Sequence, residues 1–384
     1  MFNQFVAGVK VQYRKILFVI DVMNPGGGAQ KVLPYLLRIL QKNGVQVHLI
    51  VLKKTTEVVP LDDLSVDYIL PNRETRLLEN TFKILDTLTR EAKNFELICS
   101  FMDFITCYFV ALSSRLAQIP YYTFVRCEPS FVVETFPYKH VNQDLYSLCL
   151  QNAQKVICNS KSSSVDIMKN FGVLEEKIFL LYNPIDIQQI QKDSRKTIEL
   201  PIKKQGEIFC VSVGRLNPQK NYLTLLKSFL KLQDLRIKLF IIGEGEQKQE
   251  MEKFICEHYL SNVILLGYQN NIYPFLAQAD IFVHGSLYEG FPNVVLEAAC
   301  LKKPLVLSNI MPHKDFFAAR GALFFDPENV DDLAAKIRDL ACNQQKRDHL
   351  AKEAFSVVQD YQGENFEKQL WEIFNITNFS VNEQ

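Results

Sequence analysis

Residues 16–28 and the run that follows them set the architecture: Ile16-Leu17-Phe18-Val19-Ile20, then Pro25-Gly26-Gly27-Gly28, then an amphipathic segment over 29–43. Five consecutive apolar residues predict a buried strand. The glycines predict a loop, and Gly44 stops the helix behind it. Outward from this unit the alternation recurs. Strands are expected at 45–52, 66–70, 97–100, 121–126, 155–159 and 178–181, with helical patterns at 75–94 and 104–117. The chain turns polar over 192–206, which reads as a linker. A second series follows, with strands at 208–213, 239–242, 263–266, 281–283 and 305–307 and helices at 222–232, 247–259, 293–300 and 330–341. This alternation predicts an α/β fold of two Rossmann-like, doubly wound parallel-sheet domains facing a central cleft, with ligands at the carboxyl ends of the strands. The domains are expected at 1–192 and 206–362. Residues 363–384, with Phe366, Trp371 and Phe374 at helical spacing, are expected to form a closing helix that packs back on the first domain.

Of the 384 residues, 48% are hydrophobic and 22% charged, which fits a globular chain with a large core and excludes disorder, collagen and coiled coil. Forty-three Lys+Arg balance 43 Asp+Glu, so a nucleic-acid binder driven by phosphate neutralisation is disfavoured. The nine cysteines include no C-x-x-C pair, and most sit in apolar runs such as Val156-Ile157-Cys158. That is the pattern of reduced core thiols, not of a disulfide frame or zinc site, and it predicts a cytoplasmic location. Two N-x-S/T triplets, at Asn375 and Asn378, are then chance. No apolar stretch reaches 18 residues and no signal-peptide layout opens the chain. Residues 1–14 carry Phe2, Phe5 and Val6 beside Lys10 and Arg14, the composition of a short surface anchor at the inner face of a membrane. A slight basic excess before residue 195 fits the same peripheral contact.

Chemistry concentrates in the second half. Tyr288-Glu289-Gly290-Phe291-Pro292 runs into a helix from Asn293. Pro292 suits a first turn, Gly290 permits close backbone approach, and the amides of Asn293, Val294 and Val295 with the helix dipole make an anion site. Glu289 and Glu297 flank it and suit hydroxyl groups better than phosphate. Taken alone, the segment reads equally as an ordinary helix start. In Val213-Gly214-Arg215-Leu216-Asn217-Pro218-Gln219-Lys220, two cations follow a strand and suit a diphosphate leaving group; each alone is an ordinary surface charge. No D-x-D triplet occurs, so a metal-bridged diphosphate is not expected. Ile241-Ile242-Gly243-Glu244-Gly245-Glu246 and Leu266-Gly267-Tyr268-Gln269-Asn270 read as further loops at the same sheet edge, with Tyr268 placed near a nucleobase or packed on the surface.

In order and spacing, V-G-R-L-N-P-Q-K-N, I-I-G-E-G-E, L-G-Y-Q-N and E-G-F-P-N-V-V-L-E-A resemble the donor domain of glycosyltransferase family four, whose members are retaining, nucleotide-sugar-dependent enzymes of the GT-B fold. Pro25-Gly26-Gly27-Gly28-Ala29-Gln30, Cys158-Asn159-Ser160-Lys161 and Tyr182-Asn183-Pro184 resemble segments of its first half. The resemblance implies that Arg215 and Lys220 hold the departing diphosphate, Glu297 the ribose and Glu289 the transferred sugar. It implies donor contacts from the backbone of Gly290, Phe291, Asn293 and Val294, and from Gly27, Gly28, Gly214, Gly243, Glu244 and Tyr268. Gln30 replaces the family's usual Glu and reads as a helix-surface change. Asp315, in Met311-Pro312-His313-Lys314-Asp315, stands where members carry an acidic residue after a turn.

On the acceptor side, Asp103 and Arg126 stand at strand ends; Arg126 suits an anionic acceptor or pairs with Glu128 or Asp103. His140, His284 and His313 lack metal-ligand spacing and read as packing or polar contacts. The implied activity is transfer of a sugar from a nucleoside diphosphate, UDP in the first instance, onto a glycan or lipid-linked acceptor, with a nucleotide-sugar co-substrate and no metal. A sugar-nucleotide epimerase and a non-catalytic sugar-nucleotide binder are the alternatives.

Overall fold

The computed structural model describes residues 13–24, 27–55, 59–71, 76–198, 203–233, 236–318 and 320–376. All but the last two residues of the anchor expected over 1–14, Pro25 and Gly26, and the second N-x-S/T triplet lie outside them.

The chain forms two compact units, residues 1–183 with 364–384, and residues 184–363. The first unit holds seven parallel strands: β1 (Lys15–Ile20), β2 (Gln46–Lys53), β3 (Val66–Leu70), β4 (Leu97–Ser100), β5 (Tyr121–Val125), β6 (Lys155–Cys158) and β7 (Ile178–Leu180). Their order is β3-β2-β1-β4-β5-β6-β7. Alternation along β1 explains why it is apolar throughout. Ile16, Phe18 and Ile20 join a core with Leu33, Leu36, Leu37 and Leu40 of the helix Gly28–Lys42, while Leu17 and Val19 join another with Ile84, Leu88 and Val110 on the opposite face.

The second unit holds β8 (Ile208–Val213), β9 (Ile237–Ile242), β10 (Val263–Gly267), β11 (Ile281–His284), β12 (Leu305–Ser308) and β13 (Ala322–Phe325), all parallel, in the order β10-β9-β8-β11-β12-β13. Both sheets therefore reverse direction of growth once, between β1 and β4 and between β8 and β11. In doubly wound sheets, ligands sit at the carboxyl ends of the strands flanking that reversal.

Two features differ from the sequence expectation. The first unit ends at Asn183, not at residue 192. The helix Ile187–Asp193 belongs to the second unit because Ile190 is buried, Ile185 N–H donates to the Tyr361 carbonyl (3.0 Å) and Asn271 Nδ2 donates to the Asp193 carbonyl (3.0 Å). The polar text over 192–206 marks surface chain rather than the break. β13 was not expected; it is a four-residue edge strand of which only Phe325 is fully buried.

The helix Gly363–Phe374 belongs, from Glu364 onward, to the first unit. Phe366, Leu370, Ile373 and Phe374 are buried in its core, and the Phe374 ring lies 6.2 Å from Phe18 and 5.6 Å from Tyr122. Each contributes about 1.5–3 kcal/mol. Trp371, on the same helix, is only half-buried. No helix among the described residues is long and apolar enough to cross a membrane.

Candidate functional site

In the second unit the loops after β8 and β11 meet at the reversal of the sheet. Lys220 lies at the end of a short turn, Pro218–Lys220, which Asn217 caps by accepting from the Lys220 amide. Its ammonium donates to Glu289 Oε1. Glu289 is 7% exposed, so this is a buried ion pair. The same oxygen accepts from His284 Nε2 (2.9 Å) and Ser286 Oγ (2.7 Å). Burial alone raises a carboxyl pKa, but the Lys220 charge and the His284 and Lys220 hydrogen bonds overcome it and hold Glu289 well below the usual carboxylate range. Burial lowers the pKa of His284, and it takes His313 down to about 3, so both rings are neutral at neutral pH.

This geometry revises the sequence expectation. Lys220 is not a free companion of Arg215; Glu289 already balances its charge. Arg215 is exposed, and its side chain has no ion pair or hydrogen bond among the described residues. Glu244 is exposed and paired to Lys248 (2.8 Å), one turn into its own segment. Tyr268 is 51% exposed and makes no hydrogen bond among the described residues. Gly243 serves contact between loops: its φ is +150°, and an added Cβ would lie 1.9 Å from the Gly214 carbonyl oxygen.

The helix Asn293–Cys300 starts where expected, with Pro292 as the residue before its first turn. Its amides are less available than the sequence suggests. Asn293 N–H donates to Phe291 O (2.9 Å) and Val295 N–H to Pro292 O (3.0 Å), leaving Val294 as the first-turn amide without an acceptor among the described residues. Gly290 and Phe291 are buried, the Phe291 ring against Phe316 at 5.1 Å. Glu297, half-buried in the second turn, accepts from Tyr273 OH (3.4 Å).

In the first unit, Gly27 is the residue before the helix Gly28–Lys42, whose start has no side-chain cap and no acidic residue in its first turn. The positive end of that helix is uncompensated from within. Gln30 is 6% exposed, not a surface residue: its amide donates to the Val22 carbonyl (3.3 Å) and occupies the space where a Gly27 side chain would begin.

Asp103 and Arg126, at the ends of β4 and β5, are brought together. Asp103 accepts from the Arg126 amide (3.0 Å) and from Tyr146 OH (2.7 Å). The guanidinium donates to Asn183 Oδ1 (2.8 Å) and lies over the Phe101 ring at 4.9 Å. The guanidinium makes no hydrogen bond to a carboxylate among the described residues, although the Asp103 charge acts on it, and its buried Nε is unpartnered. Burial raises the Asp103 carboxyl to about 6 and lowers Arg126 to about 10. Ser286 and Tyr146 escaped the sequence reading, which took His284 as a packing or polar contact and Asn183 only as part of a resembling segment. The one available signal was position: His284 is the last residue of a strand that feeds the Glu289 loop. Among the described residues no three His, Cys, Asp or Glu side chains are grouped to hold a metal ion.

Two parallel α/β units, each with polar groups at the reversal of its sheet, define a protein of the GT-B class. The profile described as glycosyl transferases group 1 matches residues 193–357 and that of glycosyltransferase family 4 matches residues 26–189; the chain belongs to this family. A Campylobacter jejuni relative, an N-acetylgalactosamine-N,N'-diacetylbacillosaminyl-diphospho-undecaprenol 4-alpha-N-acetylgalactosaminyltransferase, is 38% identical over 162 residues, 42% of this chain and 43% of its own length. The Escherichia coli UDP-Gal:alpha-D-GlcNAc-diphosphoundecaprenol alpha-1,3-galactosyltransferase is 32% identical over 173 residues, 42% of each chain. This chain therefore spans less than half the length of these two relatives in the matched stretches. The crystal structure of Anabaena Alr3699/HepE in complex with UDP and glucose shares the fold, with a TM-score of 0.79 at 19% identity over 94% of this chain and 99% of that one.

Proposed function

We propose that the protein transfers a sugar, with retention of configuration, from a UDP-sugar onto a glycan carried on a lipid-linked diphosphate. The observation that carries this reading is the Lys220–Glu289 pair at the reversal of the second sheet. It joins a cation suited to a leaving diphosphate to a carboxylate suited to sugar hydroxyls. Relatives that act on diphospho-undecaprenol-linked glycans, and a fold neighbour that holds UDP and glucose, support the same reading.

In the transfer, the bond from the anomeric carbon to the β-phosphate oxygen breaks and a bond to the acceptor oxygen forms on the same face. The leaving phosphate oxygen takes the acceptor's proton, so no enzymic nucleophile is required. Arg215 and Lys220 stabilise the charge growing on the diphosphate, without a metal. Glu297 takes the ribose hydroxyls and Glu289 those of the sugar. The uncapped helix start at Gly27 and Gly28 favours the diphosphate. Asp103 and Arg126 serve the acceptor, with the Arg126 charge suited to its diphosphate.

The test is a thermal-shift screen with UDP, GDP and ADP, followed by transfer assays with the stabilising nucleotide's sugars and a polyprenyl-diphosphate glycan. Selective stabilisation by UDP and an α-linked product are expected. A folded protein that neither transfers nor hydrolyses any donor would remove the proposal.

A further inference from the structure

His284 sits at the donor site with no role in the reaction just described. It ends β11, is 2% exposed, and packs its ring 6.0 Å from Phe282 and 5.4 Å from His313. Its Nε2 faces a carboxylate, which has no proton to give, so Nε2 carries the hydrogen and donates to Glu289 Oε1. Ser286 Oγ and the Lys220 ammonium donate to the same oxygen. Oε1 thus holds three donors. Oε2 accepts from none of the described residues, and it is not among the sealed, unpartnered atoms. The carboxylate is fastened through one oxygen and open through the other.

We infer that His284 is a positioning residue of the donor site, which with Ser286 fixes the Glu289 carboxylate so that Oε1 stays on Lys220 and Oε2 is presented to a hydroxyl of the transferred sugar. The inference rests on the donor-site reading above. Its physical basis is that two neutral donors orient a carboxylate without cancelling its charge. With Lys220 alone, the carboxylate is free to turn both oxygens onto the ammonium, and the oxygen meant for the sugar is lost. The ring behind is braced in the same neutral manner. His313 Nδ1 donates to the Ser308 carbonyl (2.9 Å), and Ser308 Oγ donates to the Ser286 carbonyl (2.6 Å), tying the end of β12 to the Glu289 loop.

The experiment compares wild type with His284→Leu, which keeps the bulk and removes the donor, and His284→Gln, whose amide nitrogen can reach the place of Nε2. UDP affinity is measured by calorimetry, alongside affinity and turnover for UDP-N-acetylgalactosamine, UDP-galactose, UDP-N-acetylglucosamine and UDP-glucose. The Leu variant is expected to lose about 10–100-fold in kcat/KM for the preferred UDP-sugar, as for a lost hydrogen bond to a charged group, while binding UDP within about twofold of wild type. The Gln variant is expected to recover most of the loss. Equal turnover in a folded Leu variant, a parallel loss of UDP affinity, or a Gln variant no better than Leu would overturn the assignment. If the Leu variant does not fold, Ser286→Ala removes a donor to the same oxygen and takes its place, with the same contrast between UDP-sugar and UDP. If wild type binds a UDP-sugar but transfers from none, the ratio of UDP to UDP-sugar affinity still reads the carboxylate: its loss in the Leu variant supports the positioning role while the transferase reading fails.

Discussion

Lys220 and Glu289, 69 residues apart, share one hydrogen bond across the point where the second sheet reverses. With side chains 16% and 9% exposed, the two charges are compensated mainly by each other. Removing one leaves the other buried and unbalanced. Lys220→Met is therefore expected to cost about 3–5 kcal/mol of stability, toward the lower end because His284 and Ser286 still hold the carboxylate. Lys220→Met with Glu289→Gln should regain part of that. Urea unfolding of both, with transfer assays showing neither active, checks the pair.

Acid should act oppositely on the two units. His313 has its pKa lowered from 6.5 to about 3, so below pH 6.5 the unfolded chain takes a proton that the folded one refuses. Its contribution is present above 6.5 and falls away toward 3, about 2 kcal/mol by pH 5. Asp103 has its pKa raised from 3.8 to about 6, so between those values the folded first unit keeps a proton the unfolded chain has lost. It gains stability as pH falls through that window, about 1 kcal/mol by pH 5. Trp371, the one tryptophan of the sequence, reports the first unit by fluorescence. Hydrogen exchange in β8 and β11 reports the second. His313→Asn and Asp103→Asn should each flatten the corresponding pH dependence.

Two glycine substitutions should differ in cost. At Gly243 a Cβ meets the backbone oxygen of Gly214, which cannot step aside, and φ is +150°. Gly243→Ala should cost more than about 1 kcal/mol. At Gly27 a Cβ meets only the amide end of Gln30, and φ is an ordinary −95°. Gly27→Ala should be the milder change, and adding Gln30→Ala should relieve it. Thermal melts of the three variants decide.

Arg126→Leu is expected to raise KM for a diphosphate-linked acceptor by about tenfold or more and to leave KM for the UDP-sugar unchanged. Equal effects on both substrates would separate Arg126 from the acceptor.

All the strands but β13 were legible because each is a short apolar run set between turns, and β1 is apolar on both faces since a core lies on each side of it. The site was legible by halves. Arg215 and Lys220 were read together because they are close along the chain, yet the fold pairs Lys220 with a carboxylate 69 positions on. Gln30 read as a surface residue from its place on a helix, but the absence of a Gly27 side chain lets its amide turn inward. His284 read as packing or a polar contact, and nothing in one dimension named Glu289 as its partner.

Local sequence was enough for the alternation of strands and helices, the glycine turns and the set of charged residues from which a donor site is built, because these depend on periodicity and backbone freedom within a few residues. Three things waited for the folded chain: the break at Asn183, the partner of Lys220 and the company that Glu289 keeps. Each depends on contacts between segments far apart in the chain, and burial gives those contacts their strength: with little water to screen it, a charge is held by whichever distant group the sheets bring alongside.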